Sequence, residues 1–182
     1  MKLTKIYGVN GDDYHNHRVV TFLFGTENVL FSKRLNYLLV VSKESPKSDT
    51  IDFEKDAYIE HLGDVDLKAI IDDSATNFIL RCNPVKRNIK TRKLQPVFGE
   101  DNIKAWFDKR IIGSGFSLTG TILISESKSI SMKNSETLTH HDVNIIGSLT
   151  VHDYDLFENA IFKGIGQAKF LGYGLINVFD SL

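Results

Sequence analysis

Apolar and polar positions change rhythm several times along this chain, and each change marks an element. Lys2 to Gly8 alternates Leu3, Lys5 and Tyr7 against Lys2, Thr4 and Ile6, which predicts an opening strand closed by the Asn10-Gly11 turn. Asp12 or Asp13 then caps a helix over Tyr14 to Phe24 that ends near Gly25. Val19, Val20 and Leu23 share its apolar face, while Tyr14, His17, Arg18 and Thr21 lie on the other. The β-branched and aromatic content of Leu35 to Lys43 predicts a buried strand, and a polar, acidic connection with Pro46 leads to a short strand near Ala57 to Leu62. Asp64 caps a brief helix through Leu67, Ile70 and Ile71, and Asn77 to Asn83 forms the next strand, stopped by Pro84.

The second half repeats this order. Leu94 to Phe98 predicts a strand, and Glu100 or Asp101 opens a helix carrying Ile103, Trp106, Phe107 and Ile111. Lys109 and Arg110 occupy its last turn, where cations suit the helix dipole, and Gly113 follows. Thr119 to Ser125 and Val143 to Val151 are strands; the Ser/Lys/Asn/Thr-rich stretch Ser127 to His141 between them either extends the hairpin or is mobile. Asp153 caps a last helix through Phe157, Ala160 and Ile161, and a glycine loop leads to a terminal strand through Leu175, Ile176, Val178 and Phe179. Each half reads βαββαβ, so the expected fold is α+β, with tandem ferredoxin-like (RRM-like) domains over 1–88 and 89–182 and a boundary near 85 to 93. No internal sequence repeat accompanies the duplication.

Composition adds one thing the pattern does not. At 182 residues, 42% apolar and 25% charged, the chain can bury a real core as one large domain or two small ones. Its net charge of -1 is unevenly spread: 81–93 holds six basic residues and no acid, whereas 44–76 holds ten acids and three lysines. The average hides a basic stripe of Arg81, Lys86, Arg87, Lys90, Arg92 and Lys93. Cys82 is the sole cysteine, which leaves no thiolate pair for zinc or redox work, and its apolar surroundings make it a small core residue. No signal h-region opens the chain and no apolar run approaches the roughly 18 residues of a membrane span, so a cytoplasmic address without a membrane partner is expected.

Two stretches carry candidate chemistry. Four of the eleven residues from Gly164 to Gly174 are glycine, and such a tract, with its N–H groups and Lys169, can seat a phosphate. The alternative is a helix C-cap at Gly164 followed by a bulged strand, which uses two of the glycines. Tyr14 and His17 stand one above the other on the first helix, away from its apolar stripe. An imidazole titrating near neutrality beside a phenol and the guanidinium of Arg18 suits proton transfer on a phosphodiester; the alternative is a surface histidine beside a rim tyrosine. No metal or other cofactor is expected. His140, His141 and Asp142 are adjacent on a strand and point to opposite faces, and no His-Glu-x-x-His, Walker or Gly-x-Ser-x-Gly motif occurs. The aromatic stacking run of RNA-recognition motifs is also missing, so any RNA binding would follow backbone shape.

These landmarks together resemble the CasE family of CRISPR repeat-processing endoribonucleases from type I-E Cascade systems. Gly164-Ile165-Gly166-Gln167-Ala168-Lys169-Phe170-Leu171-Gly172-Tyr173-Gly174-Leu175-Ile176 looks like the family's terminal signature, Gly-Ile-Gly-Arg-Gly-Lys-x-x-Gly-x-Gly-Leu-Leu. Gly147-Ser148-Leu149-Thr150-Val151 and the Phe157 helix precede it in the same order. Arg81-Cys82-Asn83-Pro84-Val85-Lys86-Arg87 is similar to Arg-Ala-Asn-Pro-Thr-Lys-Arg, the Trp106 helix ending in Gly115-Phe116 fits, and Tyr14-x-x-His17 matches the Tyr-x-x-His of the first helix. Gln167 and Ala168 depart from the pattern, replacing an arginine and a glycine.

The resemblance implies a metal-independent endoribonuclease that cuts CRISPR precursor RNA beside a repeat hairpin, by attack of the ribose 2′-OH, to leave 2′,3′-cyclic phosphate and 5′-OH ends. It implies His17 and Tyr14 as catalytic residues and Cascade-type effector subunits as partners. Lys169 and the backbone at Gly164, Gly166, Gly172 and Gly174 would hold hairpin phosphates, with Arg18, Lys86, Arg87, Lys90, Arg92 and Lys93 binding backbone. Two rivals stand beside it: a non-catalytic hairpin-binding subunit of such a complex, and a module unrelated to RNA.

Overall fold

The computed structural model describes residues 1–52, 56–71, 75–133 and 136–179. Its first part comprises β1 (Lys2–Tyr7), α1 (Asp13–Phe24), β2 (Val29–Lys33), β3 (Tyr37–Ser42) and β4 (Tyr58–Asp64). The four strands form one antiparallel sheet in the order β2-β3-β1-β4. α1 starts where expected because the Asp12 carboxylate accepts from the His15 backbone N–H at 2.8 Å, and it stops at Gly25, whose φ of 83° few other residues adopt. Val19, Val20 and Leu23 of α1 pack with Ile6, Phe31, Leu38, Val40 and Ile51 into a core beneath this sheet. Each such side chain contributes about 1.5–3 kcal/mol by leaving water.

The second part comprises α2 (Leu67–Ile70), β5 (Thr76–Cys82), β6 (Val85–Arg87), β7 (Leu94–Pro96), α3 (Glu100–Arg110), β8 (Phe116–Lys133), β9 (Glu136–Val151), α4 (Tyr154–Lys163) and β10 (Ile176–Asn177). Its antiparallel sheet runs β10-β5-β9-β8. Taken with α3 and α4, these strands give a full βαββαβ set, β5-α3-β8-β9-α4-β10; the first part differs from the expected βαββαβ in having no helix between β3 and β4 among the described residues, α2 coming after β4, but its sheet has the same strand order, so the tandem ferredoxin-like architecture stands. A larger core joins β5, β9, α3 and α4, and Leu3, Leu39 and Val41 from the opposite face of the first sheet enter it.

Three strand assignments differ from the sequence expectation. β2 was not foreseen; its apolar part is only Val29-Leu30-Phe31, and it follows Asn28 in the left-handed region at φ 54°. Missing it shifted the strand tally, so Asn77–Asn83 was expected to close the first unit, whereas β4 does so and β5 is an inner strand of the second sheet. Leu94–Phe98 was expected to open the second unit, yet β7 pairs only with β6 as a two-stranded hairpin. All three residues of β7 are exposed, so it has no apolar face to bury, and Pro96 lacks an N–H for a ladder. α2 is capped by Asp66, which accepts from the Lys68 N–H at 3.0 Å, not by Asp64, which still belongs to β4. The polar stretch from Ser127 onward does extend the hairpin: β8 and β9 run antiparallel from Phe116↔Val151 to Lys133↔Glu136.

Candidate functional site

A groove of about 780 Å³ lies between α1 and the chain that follows α4. His17 and Thr21 line it from α1, Lys43 from the end of β3, Lys163 from the last turn of α4, and Gly166 to Phe170 from the glycine loop. The histidine of the first helix and the cationic loop near the carboxyl end thus face one cleft, although 152 residues separate His17 from Lys169.

His17 is half-buried. Its Nδ1 sits 3.3 Å from the Thr21 hydroxyl one turn later, the Phe170 ring meets it edge-on at 5.3 Å between centroids, and the Tyr14 ring is tilted against it at 6.0 Å. Burial, reinforced by the charge of Lys133, pushes the imidazole below its ordinary pKa. That shift favours the uncharged imidazole. Tyr14 stands beside His17 without being part of the groove wall, and Arg18 is exposed.

Lys169 opens a 3₁₀ turn, Lys169–Leu171, entered through Ala168 at φ 58° and left through Gly172 at φ 85°. Burial first, then the nearby charges of Lys163 and Arg110, hold its ammonium below the usual lysine range. These like charges repel one another, so an anion near Lys169 would be favoured.

The glycines divide by role. Gly166 lines the groove, whereas Gly164, Gly172 and Gly174 are buried. All four have positive φ, and a Cβ at Gly164 would come within 2.7 Å of Leu30, at Gly172 within 2.7 Å of Phe31, and at Gly174 within 2.7 Å of the Ile165 carbonyl oxygen. Close packing onto β2 and within the loop itself thus explains the glycines that capping and bulging left over.

The basic stripe also divides. Arg81 is buried in ion pairs with Asp13 and Asp142. Lys86 and Arg87 lie on β6, Lys90, Arg92 and Lys93 in the connection to β7; all five are exposed, and among the described residues none lines the groove. The hairpin is rooted beside the loop, since the Trp106 indole donates to the Val85 carbonyl at 3.1 Å and a Cβ on Gly166 would meet Trp106 at 3.0 Å. Lys43, Lys163 and Lys133 were missed by the sequence expectation. Lys163 alone had a local signal, preceding the first glycine of the signature.

A family model described as "CRISPR associated protein" matches residues 6–179. The chain belongs to this CRISPR-associated protein family. Among solved structures it is similar to a CRISPR endoribonuclease Cse3 bound to 19 nt RNA, at TM-score 0.80 and 21% identity over 97% of this chain and 99% of that one. It is also similar to the CRISPR-associated protein Cas6e from Escherichia coli K-12 (TM-score 0.74, 21% identity, 97% and 98% of the chains). A chain of a CRISPR RNA-guided surveillance complex matches at TM-score 0.67 and 18% identity over 97% and 98%. At these identities the likeness establishes the fold. Among the curated proteins none matches. The CasE-type resemblance of the motifs agrees with the family and the fold. Among the described residues no three His, Cys, Asp or Glu side chains gather as metal ligands, and no helix is long and apolar enough to cross a membrane.

Proposed function

We propose that this CRISPR-associated protein is an endoribonuclease that cuts precursor CRISPR RNA beside a repeat hairpin without a metal ion. The observation that carries the reading is the shared groove: a neutral, half-buried imidazole on one wall and Lys163, Lys169 and the glycine loop on the other. His17 takes the proton of the ribose 2′-OH as that oxygen attacks the adjacent phosphorus. The bond to the 5′-oxygen breaks, the leaving oxygen is protonated by the Tyr14 phenol or by water, and 2′,3′-cyclic phosphate and 5′-OH ends result. Attacking and leaving oxygens lie in line across phosphorus, so acid and base belong on opposite sides of it. Lys169, Lys163 and Lys43 neutralise the charge that builds on the equatorial oxygens.

The solved relatives bound to RNA, or built into a surveillance complex, support an RNA hairpin and effector-complex subunits as partners, and a cytoplasmic site of action fits the single, buried, free cysteine. The exposed β6–β7 cations bind the RNA backbone outside the groove. The sheet membership of β4 and β5 supports a division into two units between these strands, ahead of the expected 88/89 boundary.

The test is incubation of a labelled repeat hairpin in chelator, followed by end-group analysis. Cyclic phosphate ends are expected, and His17→Ala slows cleavage by about 10²- to 10⁴-fold with hairpin affinity nearly unchanged. Tight binding with no cut by the wild-type protein would instead favour the non-catalytic subunit. Cutting that stops in chelator would refute the proposed chemistry.

A further inference from the structure

Arg81 projects from β5, an inner strand of the second sheet, and reaches the first turn of α1. Its Nη1 and Nη2 donate to the two carboxylate oxygens of Asp13 at 2.9 and 3.0 Å, while Nε donates to Asp142 of β9 at 3.0 and 3.1 Å and Nη2 to the same carboxylate at 2.5 Å. The Tyr173 ring lies under the guanidinium at 4.3 Å, and its hydroxyl accepts from Nη2 at 3.2 Å and donates to Asp13 at 3.4 Å. The Ser129 hydroxyl of β8 completes the Asp13 carboxylate at 2.6 Å, and the Met132 backbone N–H donates to Asp12 at 2.6 Å. The side chains of Arg81 and Asp13 are only 11% and 4% exposed.

Such a buried triad is weak support for stability, because withdrawing three charges from water costs about as much as their attraction returns. Geometry is what it supplies. The apolar face of α1 packs under the first sheet, so hydrophobic burial fixes the helix to that sheet alone. Toward the second sheet α1 turns the buried, polar Asp13, and β8 meets it with Ser129. A seam of this kind has no preferred register except the one its hydrogen bonds dictate. Asp13 and His17 are one turn apart, at i and i+4, on one face of α1.

We infer that Arg81, acting through Asp13, is a positioning residue: its two-way fork sets where the His17 imidazole stands over the groove wall formed by Gly166 to Phe170. The inference rests on the proposed cleavage reaction for its functional half, and on geometry alone for its structural half. Lysine keeps the charge but lacks the planar fork, so it serves one carboxylate at a time.

Two readouts on the full-length chain separate these halves. The first is the distance between nitroxide labels at Arg18→Cys on α1 and Gln167→Cys in the loop, both exposed; the native Cys82 is buried and stays unlabelled. The second is single-turnover cleavage of a labelled repeat hairpin at saturating protein, with the hairpin Kd measured alongside. The variants are Arg81→Lys and the triple Arg81→Met/Asp13→Asn/Asp142→Asn, which leaves no unpaired buried charge. A displacement on the order of 1 Å can cost about 10²-fold in rate. The expected result is a broadened or shifted distance distribution and a rate lower by about that factor, with Kd nearly unchanged and Arg81→Lys intermediate. An unaltered distribution in a folded triple variant overturns the inference, as does a loss of rate matched by an equal loss of affinity. Wild-type protein that never cuts the hairpin refutes the cleavage reading, and the label distances still decide the clamp.

Discussion

Replacing Gly172 by alanine separates two accounts of the glycine signature, backbone packing and phosphate contact. Gly172 sits at φ 85° and ψ 21°, where a side chain costs roughly 1–2 kcal/mol against the right-handed region. Its added Cβ would lie 2.7 Å from the Phe31 ring, closer than real carbon atoms approach, so the ring or the loop must yield. Phe31 is 3% exposed on β2, and overpacking at such a site costs about 1–3 kcal/mol more. The expected loss is roughly 2–5 kcal/mol, read by chemical denaturation, or as a fall of roughly 4–20 °C in Tm for a chain of this size. Ala168→Gly serves as the reverse experiment. Ala168 occupies φ 58° and ψ 31° in the same loop, so removing its Cβ relieves the same backbone cost, offset in part by the looser unfolded chain, for a gain of roughly 1 kcal/mol. Gly172→Ala that stays within about 0.5 kcal/mol of wild type, while RNA affinity drops, refutes the packing account.

Three further outcomes follow from the charges. Because burial and Lys133 depress the His17 pKa, the neutral base persists into mild acid, so the acidic limb of kcat/KM should lie below the ordinary histidine value of about 6.5; a limb above it would argue against His17 as base. Lys169→Ala should weaken hairpin binding and reduce the slope of log K against log salt by about one, measured by titration at several ionic strengths. Burial alone would raise the Asp13 carboxyl, but the hydrogen bonds and charge of Arg81, with the Ser129 hydroxyl, hold it below the usual carboxylate range. Its contribution to stability is thus complete above about pH 3.9 and is lost as pH falls through the depressed value; denaturation curves across that window should be flatter in the triple clamp variant.

What could be read from the sequence was what short segments decide for themselves. α1 was legible in full because its cap, its apolar stripe and its terminating glycine all lie within 14 residues, Asp12 to Gly25. α4 was legible for the same reason, with Asp153 accepting from the Leu156 N–H at 2.9 Å. β2 was not, since three apolar residues between polar neighbours carry no period. The outer half of the β8–β9 hairpin is polar because it rests on the polar first turn of α1 rather than on a core, so alternation could neither assert nor deny it. Arg81 was grouped with its basic neighbours because composition does not tell a solvated guanidinium from a buried one; its partners lie 68 and 61 residues away. His17 and Lys169 line one groove, and the expectation that pairs them rests on the motif resemblance, because periodicity cannot span the separation between them.

The clamp draws on positions 13, 81, 142 and 173, which span nearly the whole polypeptide. Tyr173 therefore leaves the ribosome long after the tyrosine–histidine pair, and the frame around Asp13 is incomplete until it does.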